Sequence, residues 1–589
     1  MKKNNPNQAI HYVVDASNIH AHLFSVTLTI AAPSAQQRVC LPVWIPGSYL
    51  VREFSKNLQN LTARQGRKPL AIVQLDKCTW QIDCSPDKPL VLCYQIYAHD
   101  NSVRTAWLDS QRGFFNATSV CLRVQGQEAV EHLLAVIAPE KATDWQLATG
   151  LLAQKINKQG FGTYSAKCYD ALADSPVEMG AFWRGQFTAC GVLHRFVVAG
   201  ALPGLDGARL LADTKKICEA EIRFWHSNKK PPFSSYLFML NAVNDGYGGL
   251  EHSNSTALIC NRKDLPRVGD PKVSEGYTTL RGLISHEYFH TWNVKRLRPA
   301  EFANYDYTQE NYTELLWFFE GFTSYYDDLL LRRAGLLDNA GYLKLLNKTI
   351  NQVMQTPGTQ VQSVAEASFD AWVKYYRQDE NTPNATVSYY TKGALVALCF
   401  DLTLRREGHT TLDEVMRALW LRCKAGPMAE SDFAAVLQSL GKRAFDLELK
   451  NWVHGKGELP LRALIEQHGV SVHDDPAQLA QRLGLRVSQT HGLVVKTVLS
   501  GGAAEKAGFA AGDEWLGVES LKQQNGWRMQ HLDDLLLYAG ASKKVMALVS
   551  RDQRLLRLEL TIPPPATTWR LAVKDAAKVD AWLAQNLKH

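Results

Sequence analysis

The sequence contains no long apolar run, no long basic run and no C-x-x-C cysteine pair. A membrane-spanning helix needs about 18 or more consecutive apolar residues, so no span is expected. The basic residues show neither clustering nor zinc-finger spacing, and the formal net charge is only +7. These absences argue against a membrane protein and against a nucleic-acid-binding protein.

The first residues also lack an apolar stretch of signal-peptide length, so the expected location is the cytoplasm. The 11 cysteines are odd in number and widely scattered. Such a pattern offers neither a zinc ribbon nor a redox-active dithiol. The cysteines are therefore predicted to be reduced and mostly buried.

A chain of 589 residues exceeds what one hydrophobic core can organise, so three or four domains are expected. Apolar and polar positions alternate in short bursts early in the chain, for example at residues 22–30 and 90–97, which predicts strands. Near residue 278 the period changes from two to about 3.6 residues, and helices are predicted from there to about residue 459. Short strands return after residue 476, and a helix is predicted from Val579 to Leu587.

The predicted fold class is therefore a multidomain α+β chain. An N-terminal β-sandwich is expected over residues 1–178, and a largely helical second domain over residues 179–460. A small third domain over residues 477–565 and a C-terminal helical tail over residues 566–589 complete the expected order.

The second domain carries an H-E-x-x-H motif at His286, Glu287 and His290. Side chains four residues apart project from the same face of a helix, so both imidazoles can bind one metal ion. Neutral imidazole suits Zn2+, and a three-ligand site leaves a position open for a water molecule whose pKa falls toward about 7. Glu287 is placed to take a proton from that water, which predicts hydrolysis of an amide bond.

A third ligand is expected from the apolar segment LLWFFEGF at residues 315–322. The segment holds a single carboxylate, Glu320, in surroundings that would not bury one without a partner. Glu320 is therefore predicted to complete a site for one zinc ion per chain.

Longer strings around these residues resemble a known family. The Glu-Gly context of Glu320 resembles the gluzincin peptidases, and HEYFHTWNVKRLRP at residues 286–299 resembles their PDZ-containing glycyl aminopeptidase branch. The 29 residues between His290 and Glu320 form a longer gap than in the alanyl aminopeptidase branch. Residues 43–54 and 175–180 are similar to that family's N-terminal hallmark and to the junction after it. The resemblance implies a thermolysin-like second domain and an aminopeptidase that prefers N-terminal Gly or Ala.

The same resemblance implies a tyrosine that stabilises the oxyanion. Tyr390 is followed by Thr-Lys-Gly and resembles the tyrosine of the Tyr-x-Lys-Gly motif in related gluzincins. A hydroxyl donor of this kind can contribute several kcal/mol to binding of the transition state. Tyr389 is the fallback for this role.

The string GYGGLEH at residues 246–252 resembles the exopeptidase motif of aminopeptidases. In that motif a Glu binds the free α-amino group of the substrate while nearby backbone aligns the peptide. The resemblance implies that Glu251 binds the amine and that Gly248 and Gly249 contact the substrate. His252 stands where the family has Asn, and its role stays open.

Residues 492–495 and 501–513 resemble a PDZ domain, whose Gly-Leu loop binds the C-terminus of a peptide. Such a domain would dock substrates or a partner, or it would be a packing module that closes the active-site cleft.

The sequence thus predicts a zinc-dependent aminopeptidase that acts on peptides with a free N-terminus. Two alternatives remain open. One is a zinc endopeptidase with the same chemistry, and the other is a peptide-binding scaffold that has lost catalysis, against which the intact Glu287 argues.

Overall fold

Three large clusters of buried apolar side chains organise the chain. The computed structural model describes residues 9–140, 142–227, 230–521 and 525–584. One cluster lies mainly among the N-terminal strands, the largest lies among the helices and sheet of the second domain, and the third lies within residues 479–560. The prediction of several domains, with a β-rich N-terminal part followed by a helical part, is confirmed.

The N-terminal part is built on an eight-stranded sheet whose strands bury alternate side chains. In Leu23–Ile30 and Leu90–Tyr97 every second residue is buried, because successive side chains of a strand face opposite sides. These two strands pair antiparallel along their full length. The strands of the large sheet are Ile10–Asn18, Leu23–Ile30, Leu58–Gln65, Lys68–Leu70, Leu90–Tyr97, His132–Ile137, Leu152–Ile156 and Gly162–Ala166.

Two four-stranded sheets complete this part. One contains Gln36–Cys40, Val73–Gln74, Thr79–Asp83 and Arg123–Val124, and the other contains Ala106–Leu108, Arg112–Phe115, Gln146–Thr149 and Val177–Gly180. In the second of these sheets, the guanidinium of Arg112 holds both carboxylate oxygens of the buried Glu178 at 2.7 and 2.8 Å. This ion pair fixes the last strand of the N-terminal part before the chain enters the second domain.

The second domain combines a five-stranded sheet with helices. Its strands are Trp183–Ala189, Val192–Ala199, Ser235–Val243, Gly248–Glu251 and Ser255–Asn261. The main helices are Gly207–Trp225, Glu275–Phe289, Leu316–Phe319, Gly321–Arg333, Asn339–Met354, Val364–Phe369, Thr382–Ala385, Thr391–Glu407, Leu412–Arg422, Glu430–Gly441 and Leu461–Gln467. The strand Gly248–Glu251 lies at the edge of the sheet and packs against Glu275–Phe289; we call it the edge strand. Within the described residues, no helix combines the length and apolarity that crossing a bilayer requires.

Residues 477–565 are inserted into a hairpin of the second domain. The strands Val470–Pro476 and Thr567–Val573 pair antiparallel with Pro476 opposite Thr567. The N–H of Ala477 donates to the backbone oxygen of Ala566 at 2.8 Å, so the two connections of the insert leave from neighbouring points. The insert has a six-stranded sheet and a buried core of its own. Its strands and helices are Leu479–Leu483, Leu485–Ser488, Val494–Val498, Ala503–Ala507, Glu514–Glu519, Gly526–Arg528, Asp534–Ala539, Lys544–Arg551 and Arg554–Thr561.

The predicted helical tail over residues 566–589 is wrong for its first part. Residues 567–573 read TTWRLAV, and such β-branched and aromatic residues favour a strand when a partner strand is present. The chain then forms the helix Ala576–Leu583, which overlaps the predicted helix from Val579 to Leu587. Residues 585–589 lie outside the described residues.

Residues 43–54 of the N-terminal part pack against the second domain. Val43, Trp44 and Tyr49 are buried within the large cluster of the second domain. The indole N–H of Trp44 donates to the backbone oxygen of Asp306 at 2.7 Å, and its ring meets Trp372 edge to face at 5.1 Å between centroids. The loop that follows is thereby fixed against the second domain.

The helix Ala576–Leu583 gives a test of how the residues after the insert pack against the second domain. Trp582 is 1% exposed, and its indole N–H donates to the hydroxyl of Tyr325 at 3.4 Å. Replacing Trp582 by Ala should lower the free energy of unfolding by about 3–5 kcal/mol, because it removes a large buried side chain and leaves a cavity. Urea denaturation followed by circular dichroism measures this loss. The exposed Lys578 on the same helix is the control, since Lys578→Ala should change the stability by less than about 0.5 kcal/mol; equal stability of W582A and the wild type would contradict the packing.

Candidate metal centre and active site

The helix Glu275–Phe289 positions both histidines of the motif. It begins where the side chain of Ser274 accepts a hydrogen bond from the N–H of Tyr277, an N-cap that satisfies one free donor of the first turn. His286 and His290 lie one turn apart, and their Nε2 atoms are 3.0 Å from each other. The predicted pairing of the two imidazoles on one face is therefore present.

Glu320 lies at the break between the helices Leu316–Phe319 and Gly321–Arg333. Its Oε2 is 3.2 Å from the Nε2 of His290 and 3.6 Å from the Nε2 of His286. Metal bonds of about 2.1 Å at tetrahedral angles would place the donor atoms about 3.4 Å apart. The three side chains therefore fit one metal ion, and within the described part of the chain they are the one His/Cys/Asp/Glu group with this spacing.

The second nitrogen of each imidazole is held by an oxygen. The Nδ1 of His286 lies 3.0 Å from a carboxylate oxygen of Asp327, and the Nδ1 of His290 lies 2.8 Å from the backbone oxygen of Asn293. A proton on each Nδ1 satisfies these acceptors and leaves each Nε2 free to bind a metal. Asp327 was missed by the sequence analysis, although it follows Glu320 by seven residues, a spacing that places both on one face of a helix.

The pKa values of the carboxyl groups of Glu320 and Glu287 are shifted in opposite directions. Burial alone would raise the pKa of Glu320, but the two imidazoles, which are protonated when no metal is bound, outweigh it and lower that pKa to about 2. Burial raises the pKa of Glu287 to about 7, and the nearby histidines offset only part of this effect. Glu320 is thus suited to remain an anionic ligand, whereas Glu287 is suited to exchange a proton near neutral pH.

Tyr390 faces the metal ligands. Its ring stacks on the ring of His286 at 6.2 Å between centroids, and its hydroxyl lies 3.2 Å from that of Tyr376. Tyr389 is fully buried and stacks on the ring of Tyr390 at 4.8 Å. The geometry favours Tyr390 over Tyr389 for contact with a substrate, and it adds Tyr376, which the sequence analysis did not identify.

Two glycines bring the metal ligand and this tyrosine together. A Cβ on Gly321 would lie 2.6 Å from the Cα of Gly393, and a Cβ on Gly393 would lie 2.9 Å from the Cα of Gly321. The helices Gly321–Arg333 and Thr391–Glu407 therefore meet backbone to backbone. This contact explains why Gly321 directly follows Glu320 and why Gly393 stands three residues after Tyr390.

Glu251 lies at the end of the edge strand and is 4% exposed. A Cβ on Gly47 of the N-terminal part would come within 2.5 Å of its carboxylate, and the φ of Gly47 is +94°. In the same strand, a Cβ on Gly249 would come within 2.1 Å of the Oε1 of Glu287. Both glycines leave no room for a side chain, so the backbone of Gly47 lies against the carboxylate of Glu251 and the backbone of Gly249 lies against that of Glu287. Gly248 adopts a φ of +150° at the other end of the strand.

His252 turns away from this cleft. Its Nδ1 lies 3.2 Å from a carboxylate oxygen of Asp174, and the ammonium of Lys295 lies 2.7 Å from the same oxygen. Asp174 precedes the junction at residues 175–180, and Lys295 follows the motif helix. The role left open for His252 is therefore a contact between the N-terminal part and the second domain.

The chain is similar to peptidases of known family. The family described as Peptidase M61 N-terminal domain matches residues 11–181, and the family described as M61 glycyl aminopeptidase matches residues 279–396. The second match contains the H-E-x-x-H motif, Glu320 and Tyr390. No curated protein matches the chain.

Among solved structures, an aminopeptidase N family protein from Idiomarina loihiensis is 38% identical with a TM-score of 0.92, covering 98% of this chain and 100% of that one. Legionella pneumophila aminopeptidase A in complex with aspartic acid is 13% identical with a TM-score of 0.50, covering 95% of this chain and 57% of that one. That likeness is one of fold alone. An M1 zinc metallopeptidase from Deinococcus radiodurans is 15% identical with a TM-score of 0.47, covering 77% of this chain and 94% of that one.

The metal centre predicts two separable defects. Glu320→Ala should lose metal, because it removes one of three ligands, whereas Glu287→Gln should retain the metal and lose nearly all turnover. Elemental analysis of protein dialysed without chelator measures the first defect, and peptide hydrolysis measures the second. A Glu287→Gln variant that keeps more than about 5% of the wild-type kcat would show that another group is the base, because a general base contributes about 100-fold or more.

Proposed function

Because the chain belongs to the M61 peptidase family and is a metallopeptidase, we propose that it is a zinc-dependent aminopeptidase that removes N-terminal residues, chiefly Gly or Ala, from peptides. The observation that carries the proposal is the buried carboxylate of Glu251 on the strand that packs against Glu287, close enough to act electrostatically on His290 of the group His286, His290 and Glu320. The description of the matching family as glycyl aminopeptidases supports the preference for a small first residue.

In this proposal each side chain has one task. His286, His290 and Glu320 would hold zinc, which supplies a Lewis acid and lowers the pKa of a water molecule at its open position. Glu287 takes a proton from the attacking water and passes it to the leaving amine. The hydroxyl of Tyr390 donates a hydrogen bond to the oxygen that gains negative charge.

The end of the edge strand supports removal of single N-terminal residues over internal cleavage. A buried carboxylate at Glu251 pairs well with an α-ammonium and poorly with a neutral amide. Gly47 packs directly against that carboxylate. The N-terminal part therefore occupies the space that a longer substrate would need for residues on the N-terminal side of the one bound at Glu251. Gly248 and Gly249 place no side chain between this strand and the rest of the peptide.

The aminopeptidase proposal predicts a strict need for a free amine. Glu251→Ala should lower kcat/KM for Gly- and Ala-aminomethylcoumarin by about 100-fold, because stranding one member of a buried charge pair costs about 2–5 kcal/mol. The zinc content should not change. N-acetylated forms of the same substrates should be cleaved poorly by the wild type.

The exposed Glu466 provides the matched control, since Glu466→Ala removes the same group from the surface of the second domain. That variant should keep the wild-type kcat/KM. Efficient cleavage of N-acetylated peptides at internal bonds by the wild type would overturn the aminopeptidase and favour an endopeptidase.

We further propose that residues 477–565 form a PDZ domain that binds the C-terminus of a substrate or partner. The φ of Gly492 is +105° directly before Leu493 and the strand Val494–Val498, a turn that suits a loop of backbone N–H groups facing a carboxylate. The side chain of Asn384 joins the insert to the second domain, with 2.9 Å contacts to the backbone oxygen of Val498 and the N–H of Ser500.

Excising the insert tests this role. Residues 477–565 can be replaced by a short Gly-Ser link between Pro476 and Ala566, because these ends are neighbours in the hairpin. A docking domain should raise KM for long peptides while changing KM for Ala-aminomethylcoumarin little, since it touches only remote parts of the substrate. Thermal unfolding checks that the second domain is retained. Equal effects on both substrates would instead identify a packing module.

A further inference from the structure

Two arginines of the N-terminal part lie beside the active-site cleft. Arg104 donates from Nη2 to the backbone oxygen of Gly249 at 3.1 Å, and Arg52 donates from Nη2 to the hydroxyl of Ser48 at 2.7 Å. The Nε of each guanidinium is buried without a hydrogen-bond partner. Within the described residues, no carboxylate lies at ion-pairing distance from either arginine.

The two positive charges act on each other and on the cleft. Burial and then the charge of Arg104 lower the pKa of Arg52 to about 10. Burial raises the pKa of Tyr376, Glu320 raises it further and Arg104 lowers it. Tyr376 therefore lies within electrostatic reach of both the metal ligand and Arg104. Asp100 offsets part of the lowering of the Arg52 pKa without pairing directly with Arg52. Two adjacent guanidiniums without a direct ion pair are costly, and an anion that binds between them relieves that cost.

Arg104 is held in place from both sides. The side-chain amide of Asn116 donates to the backbone oxygens of Val103 and Thr105 at 2.9 and 3.3 Å. The side chain of Asn101 accepts a hydrogen bond from Asn241 of the second domain at 2.8 Å. The loop that carries Arg104 is thus fixed on the second domain before any ligand binds, which reduces the entropy lost on binding.

The position of Arg104 along the edge strand matches the length of a dipeptide. An extended chain advances about 3.4 Å per residue, so Gly249 lies about 7 Å along the strand from Glu251. A substrate that runs antiparallel to this strand would place its α-ammonium at Glu251 and its first peptide bond beside Glu287. The end of its second residue then lies at Arg104.

We infer that Arg104 and Arg52 bind a carboxylate on the residue that follows the scissile bond. This inference rests on the proposed aminopeptidase function. The carboxylate is the C-terminal group of a dipeptide or the side chain of an acidic second residue, and both accept charge-assisted hydrogen bonds from a guanidinium. The enzyme therefore favours dipeptides, or peptides with Asp or Glu in second position, over neutral ones.

The test compares four substrates with the zinc-loaded full chain: Ala-Ala, Ala-Ala-amide, Ala-Glu-amide and Ala-aminomethylcoumarin. The wild type should cleave at least one carboxylate-bearing substrate with a kcat/KM about tenfold or more above that of Ala-Ala-amide. A faster Ala-Ala identifies the C-terminal carboxylate, and a faster Ala-Glu-amide identifies the acidic side chain. In Arg104→Gln and in Arg52→Gln the ratio should fall towards one.

The ratio within one variant is unaffected by a general loss of active protein, so a partly unfolded variant still gives a result. Arg52→Gln does not touch Gly249, which separates charge recognition from support of the edge strand. Arg67→Gln removes an exposed arginine of the N-terminal part and should keep the wild-type ratio. A ratio near one in the wild type, or an unchanged ratio in both variants, would overturn the inference while cleavage of Ala-aminomethylcoumarin upholds the proposed function. Failure to cleave any of the four substrates would overturn both.

Discussion

A buried negative charge next to two imidazoles is the constraint that shapes the second domain. Glu320 is 2% exposed in an apolar segment, where an ionised carboxylate is stable only beside compensating charge. Protonated histidines on the neighbouring helix, or a metal ion held by neutral ones, would supply that compensation, and Asp327 lies beside the Nδ1 of His286. The helix break at Glu320 and the glycine contact beside it let the carboxylate, the imidazoles and Tyr390 meet in one place.

The proposed active site draws on parts of the chain that lie far apart in sequence. The second domain supplies the proposed metal ligands and the proposed base, while the loop at residues 43–54 supplies Gly47 and Arg52, and a further loop supplies Arg104. The buried Trp44 fixes the first loop. Residues 43–54, which the sequence alone marked only by their resemblance to a family, therefore have a physical role. Its aromatic residue anchors the loop, its glycine admits the carboxylate of Glu251, and its arginine adds charge.

The sequence was sufficient where the signal is local. Helical spacing paired His286 with His290, and one carboxylate in an apolar segment identified Glu320 as a candidate ligand. Contacts between distant segments gave no such signal. Arg104 contacts Gly249 across 145 residues of sequence, and neither residue type nor spacing predicts that contact. The strand at residues 567–573 was missed for the same reason, because its short pattern depends on a partner strand from before the insert.

The position of the insert within a hairpin sets an order for biosynthesis. Chains emerge from the ribosome N-terminus first and domains tend to fold as units. Residues 477–565 therefore emerge, with a core of their own, before the strand Thr567–Val573 and the helix that carries Trp582. Val579, Trp582 and Leu583 belong to the buried cluster of the second domain, so that cluster is complete only after the insert has emerged. A nascent chain that is interrupted within the insert would thus carry all three candidate metal ligands and still lack the residues that complete the core around them.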